Sequence, residues 1–254
     1  MISRRRLIAG GALGAGGLLL GGCDRLDGNR QVRKALAEAE ALHLRAQRLA
    51  GGHEALAREF AESQMSSQFR ANGNVAVADA AYRRHAATGF AQWALAVDGL
   101  VARPLSLPLS ALLTLEQREQ ITRHDCVEGW SAIGKWQGPR LATVLDLAGL
   151  LPQARYIVFH CADRFGTTPY YESIDLIDAF HPQTILAWRM NGQPLPEAHG
   201  APLRLRVERQ LGYKHAKFVM RVEARASLAG LYGGRGGHLG GKGGHAWGCR
   251  VWRG

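Results

Sequence analysis

Between positions 93 and 222, short strands and short helices follow one another without a repeating strand–helix–strand rhythm, and this irregularity limits the fold more than any other feature. Residues 93–101 (WALAVDGLV) alternate and then turn at Asp98-Gly99, the signal of a strand entering a hairpin. Residues 156–160, 203–207 and 218–222 read as further strands, and 105–113 and 141–150 as short helices. A dinucleotide-binding sheet would need a G-x-G-x-x-G turn after a strand, and none follows one here. The expectation is an α+β fold of mixed β-sheets with short helices. A chain of 254 residues can bury one main core with extensions at its ends.

Those ends differ in kind. Ser3-Arg4-Arg5-Arg6-Leu7-Ile8 is a twin-arginine pattern, followed by an apolar, Gly-rich run to Gly22 that is too short and too Gly-laden for a good membrane span. Leu20-Gly21-Gly22-Cys23 has the form of a bacterial lipobox, which makes Cys23 the lipidated first residue of a mature protein. Residues 1–22 are therefore expected to be an export signal read by the twin-arginine translocase. That route carries folded proteins, and so suits one that acquires a complex cofactor before export. The location expected is the periplasm or cell envelope, with lipid anchoring to the membrane. Residues 23–67 are expected to be a helical extension: Val32, Leu36, Ala39, Leu42 and Leu49 recur near helical spacing, Gly51-Gly52 interrupts, and Leu56 and Phe60 continue the pattern. His43 and His53 read there as surface or packing residues.

The net charge is +11, mostly from scattered Arg, with no basic stripe interleaved with aromatics, so no nucleic-acid partner is implied. An enclosed pocket for a phosphorylated or oxyanionic ligand accounts better for such residues. Of the four cysteines, Cys23, Cys126, Cys161 and Cys249, none lies in a C-x-x-C pair, which removes paired-cysteine zinc and c-type haem attachment.

Chemistry concentrates in Arg123-His124-Asp125-Cys126-Val127-Glu128-Gly129-Trp130-Ser131, continuing to Lys135-Trp136-Gln137-Gly138. By itself a Cys here is as readily a buried core residue as a ligand. Three further segments follow in order: Tyr170-Tyr171-Glu172-Ser173-Ile174; Met190-Asn191-Gly192-Gln193-Pro194-Leu195-Pro196 with His199-Gly200-Ala201-Pro202-Leu203-Arg204; and Gly212-Tyr213-Lys214-His215-Ala216-Lys217. Together these segments resemble the sulfite-oxidase fold, a group of molybdopterin-dependent oxidoreductases that includes sulfite oxidases and the catalytic subunit of periplasmic methionine sulfoxide reductase.

The resemblance implies molybdenum–molybdopterin as cofactor, with Cys126 as the protein's metal ligand, since a soft thiolate suits that centre. Arg123 and His124 are expected to help keep the thiol ionised. The resemblance places Asn72, Cys161, Asp163, His199, Arg204, His215, Ala216 and Lys217 at the cofactor, with Arg70 as a weaker contact. Tyr170 aligns with a tyrosine near the metal and reads equally as a strand aromatic in the core. The implied reaction is two-electron oxygen-atom transfer at a sulfur centre, sulfite or a sulfoxide, with electrons exchanged through a separate b-type membrane cytochrome or periplasmic c-type cytochrome. The competing reading is a catalytically inactive, lipid-anchored binding or assembly protein of the same fold.

The catalytic module is expected over 68–226. The 227–254 stretch is Gly-rich and too short for the second domain often present in such enzymes, which makes a monomer or a weak dimer the expectation. One codon choice for His238 to Gly243, read one nucleotide later, gives Thr-Trp-Glu-Glu-Arg-Gly, closer to the acidic, aromatic endings of similar chains. A frameshift after about Gly234 would make His238, His245 and Cys249 accidental.

Overall fold

The computed structural model describes residues 55–231, together with scattered helical positions between Gln31 and Ala46. The signal segment, Cys23, His43, His53 and the tail from 232 onward, with His238, His245 and Cys249, lie outside the described residues. The chain divides into two compact units, Met1–Gly51 and Gly52–Gly254. In the first, the described positions are helical, in keeping with the spacing of its apolar residues. Among the described residues no helix is long and apolar enough to cross a membrane.

Among its described residues the second unit carries eleven strands and four short α-helices. A five-stranded sheet has the order β2 (Leu105–Pro108), β1 (Ala94–Gly99), β11 (Val219–Arg225), β5 (Tyr156–Phe165), β6 (Thr168–Asp175). A four-stranded sheet joins β3 (Gln117–Asp125), β4 (Ser131–Pro139), β8 (Arg189–Met190) and β9 (Gln193–Pro194), while β7 (Thr184–Ala187) pairs with β10 (Arg204–Val207). Of these described pairs only β1 with β11 is parallel, as expected where hairpins rather than crossover helices make the connections.

Burial explains the layout. In β1, Leu95 and Val97 alternate with half-buried residues and meet Ile157, Phe159, Val222 and Ala224 of neighbouring strands in one core. The helix Leu141–Ala148 buries Leu141, Val144, Leu145 and Ala148 into the same core, and Leu186, Leu205 and Val207 close it from the two-stranded sheet. A smaller cluster forms around Trp136, with Ile185, Ala187, Met190 and Leu195, and Phe69 packs on its edge.

Two sequence expectations are overturned here. Residues 105–113 are not one helix: Leu105–Pro108 pairs with β1, and the helix runs only Leu109–Thr114. Nor do Leu56 and Phe60 continue a helix. The chain is extended there, Glu59 bridges Thr122, and the Phe60 amide donates to the Ile121 carbonyl at 2.9 Å. A spacing of four suits a helix face and one face of a strand alike, and the open edge of β3 decides for the strand.

Candidate active site

The β3–β4 connection delivers Cys126. Its amide donates to the Trp130 carbonyl at 2.9 Å and its carbonyl accepts from Gly129 at 3.1 Å, which closes a tight turn with Val127 and Glu128 at the tip. Lys135-Trp136-Gln137-Gly138 is structural rather than chemical. Trp136 is fully buried, and a Cβ at Gly138 would overlap the Leu186 carbonyl, so β4 crosses β7 at backbone contact.

Trp136 also supports the charges. Arg204 and Arg206, on one side of β10, place their guanidinium carbons 5.3 and 4.3 Å from its ring centre. They differ in partners. Arg206 is bidentate to Glu208 at 2.8 and 2.8 Å and approaches His124 Nδ1 at 3.1 Å. Arg204, 1% exposed, donates to the His199 carbonyl at 3.2 Å, its Nε has no hydrogen-bond partner, and among the described residues no carboxylate forms an ion pair with it. Burial, with Arg206 adding to it, pulls its pKa down to about 9.

Arg204 lines a cavity of about 280 Å³, together with Asn72, Gly73, Asn74, Cys126, Val127, Glu128, Asp163, Phe165, Tyr170, Gly212, Tyr213, His215 and Lys217. Seven expected site residues thus meet at one cavity: Asn72, Cys126, Asp163, Tyr170, Arg204, His215 and Lys217. His199 sits behind the wall against Phe69, ring centres 5.8 Å apart. Cys161 and Ala216 do not line the cavity: Cys161 packs against the main core and Ala216 belongs to it, its amide donating to the Lys214 carbonyl at 3.1 Å. Arg70 is exposed and outside the lining.

The charges are fewer than the residue types suggest. His215 donates from Nε2 to the Val207 carbonyl at 2.9 Å, and burial followed by repulsion from Arg206 holds it neutral, so its unpartnered Nδ1 is an acceptor. Burial, then Arg204 and Lys217, takes His199 down to about 4. The cationic wall is Arg204 and Lys217. Lys217 also fastens the chain: its ammonium donates to the carbonyls of Asn72 at 2.8 Å and Ala198 at 2.9 Å, and to that of Asn74. It therefore pins residues 72–74 over the cavity. Asn74 ties the other side to Asp163 Oδ2 at 2.8 Å, and the Asn72 amide lies 3.7 Å from Cys126 Sγ.

The expected ionising role of Arg123 and His124 fails. Arg123 pairs with Asp125 at 3.0 Å and His124 faces Arg206. Burial pushes the Cys126 thiol up, and the groups opposing that rise are the Glu128 amide, Asn72 and Arg204. Sequence reading also passed over Asn74, Glu128, Phe165 and Tyr213 as site residues. Glu128 and Tyr213 stood inside recognised segments; nothing in the sequence marked the other two.

Arg204 Nε, His215 Nδ1 and Asn72 Oδ1, all buried without hydrogen-bond partners, belong to residues that line the cavity with the Cys126 thiol, and His199 Nδ1, behind the wall, likewise has none. One donor, Arg204 Nε, and two acceptors, His215 Nδ1 and Asn72 Oδ1, with the Lys217 ammonium in the same lining, fit a ligand that carries both an anionic group and hydrogen-bond donors, and they define a cofactor-binding cavity in a mixed-sheet fold. Residues 83–229 match the family "oxidoreductase molybdopterin binding domain", and the chain belongs to it. Its cofactor is molybdenum–molybdopterin, and its fold is that of the sulfite-oxidase group. It is 44% identical over 142 residues to the putative protein-methionine-sulfoxide reductase subunit YedZ1 of Azospira oryzae, covering 56% of this chain and 52% of that one. To the protein-methionine-sulfoxide reductase catalytic subunit MsrP of Xanthomonas campestris pv. campestris it is 37% identical over 141 residues, covering 51% and 44%. The chain thus spans about half the length of these curated relatives. Among solved structures, the sulfane dehydrogenase SoxCD of Paracoccus pantotrophus aligns with a TM-score of 0.50 at 22% identity, covering 54% of this chain and 39% of that chain, a likeness of fold alone.

Proposed function

We propose that this chain is the metal-bearing part of an exported oxidoreductase that removes oxygen from sulfoxides of the methionine type. The observation that carries the reading is that the Cys126 thiol and the unpaired Arg204 guanidinium face the same cavity. When bound, the cofactor supplies two-electron oxygen-atom transfer. Cys126 would serve as the protein's metal ligand, in its thiolate form. Arg204 and Lys217 would receive the pterin phosphate, and the neutral His215 would offer its Nδ1 as an acceptor. Asn72 holds its amide towards the ligating sulfur.

The rim supports this substrate class. Val127 is 55% exposed and Phe165 48%, and Glu128 stands beside them. An apolar rim bearing a carboxylate disfavours the sulfite dianion and suits a neutral alkyl sulfoxide on a polypeptide. The names of the relatives from Azospira oryzae and Xanthomonas campestris support the same class. Electrons come from a separate b-type or c-type cytochrome. The twin-arginine segment and the lipobox at Cys23 support a folded, membrane-tethered enzyme beside that donor in the cell envelope, where tethering raises effective concentration.

The test is a paired assay of the loaded protein: methionine sulfoxide with reduced viologen, and sulfite with cytochrome c. Turnover of the sulfoxide exceeding that of sulfite by about tenfold or more in kcat/KM is expected. A preference for sulfite contradicts the substrate assignment, and no turnover of either supports the inactive alternative.

A further inference from the structure

A line of polar groups runs from the cavity lining into the wall behind it. Tyr170 and Glu172 stand two residues apart on β6, and Lys214 ends the 3-10 turn Gly212–Lys214. The Tyr170 hydroxyl is 3.2 Å from Glu172 Oε1 and 3.3 Å from the Tyr213 carbonyl, so one hydrogen has two acceptors. The other carboxylate oxygen accepts from Lys214 Nζ at 2.9 Å, and that ammonium also donates to the Ser173 carbonyl at 3.1 Å. The Glu172 side chain is 0% exposed and that of Lys214 5%. Of these three, Tyr170 alone lines the cavity. Asp163, Cys161 and Arg204 are the other titratable or charged groups whose fields reach its phenol. A fully buried ion pair is weak evidence of a stabilising device. One that ends on a phenol at a reaction cavity has the order of a proton path: phenol, carboxylate, ammonium.

We propose that Tyr170, Glu172 and Lys214 form a proton-transfer chain serving the cavity, with Glu172 as its necessary link. The inference rests on the function proposed above. Removing the oxygen of a sulfoxide as water breaks one sulfur–oxygen bond and forms two O–H bonds, reducing sulfur to the thioether and consuming two electrons and two protons. The separate one-electron donor supplies the electrons. One proton crosses from the Tyr170 phenol, which recovers it from Lys214 through Glu172. The second comes from water at the open mouth, and solvent restores the ammonium after product leaves.

The substitution Glu172→Gln keeps the size and removes the proton-carrying oxygen pair. In the loaded enzyme, molybdenum and pterin contents should equal those of the wild type. A fall of about 10²-fold in kcat is expected, with KM within about twofold, in the range a positioned acid contributes. The solvent deuterium isotope effect on kcat should rise, and the pH dependence of the metal's one-electron reduction potential should flatten. Glu172→Asp should recover much of the rate. Should Glu172→Gln be insoluble, Glu172→Asp and Lys214→Arg are read for the same isotope and potential signatures at smaller size. Full loading with an unchanged isotope effect and unchanged pH dependence overturns the chain. Wild-type protein without molybdenum overturns instead the function on which it rests.

Discussion

Replacing Arg204 by methionine should make the cofactor-free protein more stable while disabling it. Its guanidinium, 1% exposed, is pulled from the ordinary arginine range down to about 9, chiefly by burial. At about 1.4 kcal/mol per pH unit, keeping it charged in the empty fold costs about 5 kcal/mol. Against that stand its bond to the His199 carbonyl, about 1.5–3 kcal/mol, and its contact with Trp136, about 1 kcal/mol. Methionine fills much of the same volume, so the net gain is about 1–2 kcal/mol, or about 2–8 °C in Tm for a body of this size. The same change leaves Lys217 as the one cation among the described lining residues, and binding of the pterin phosphate should weaken by about 10²-fold. Thermal unfolding of both proteins prepared without pterin, followed by molybdenum and pterin analysis after loading, reads the two effects separately. A cofactor-free variant that melts below the wild type, or one that loads fully, refutes the reasoning.

Two other outcomes follow from neighbouring residues. A methyl at Gly212 would overlap the His124 imidazole and lie 3.1 Å from the Asp125 carbonyl oxygen, so Gly212→Ala should displace the β3 end that leads into Cys126. A loss of about 1–3 kcal/mol by urea unfolding and a reduced metal content are expected; unchanged stability and loading would show that the turn can yield. His199 is held neutral, at about 4 rather than 6.5, so the unfolded chain takes up its proton first as pH falls. The corresponding stability is intact above about pH 6.5 and is lost progressively towards pH 4, where the native ring also protonates. Urea unfolding between pH 7 and 4 should show a shallower acid loss in His199→Gln, and an identical slope would count against a neutral imidazole.

Much of the fold was legible because its strands are half-buried and alternate. Leu95 and Val97 with the Asp98-Gly99 turn announce the first hairpin, and Leu141, Val144, Leu145 and Ala148 announce the helix. Leu56 and Phe60 misled because their spacing is common to both kinds of element, and the partner that decides, β3, lies about sixty residues away in the chain. At the site, residue types in order located the cavity, but their electrical state was not in the order. Glu208 forms an ion pair with Arg206 and not with Arg204, although both arginines lie on one strand. Arg123 looks adjacent to Cys126 and is spent on Asp125. Lys217 reads as a ligand-binding cation and proves also to fasten Asn72 and Asn74, residues about 145 positions earlier. Glu172 and Lys214 stood inside recognised segments, yet only the folded β6 and the 3-10 turn show them to be paired.

The central claim is a bond between the Cys126 sulfur and molybdenum. X-ray absorption at the molybdenum edge counts sulfur neighbours directly. The account predicts about three in the wild-type protein, two from the pterin and one from Cys126, and about two in Cys126→Ser. Equal sulfur counts in the two proteins, with the metal retained in both, would contradict it.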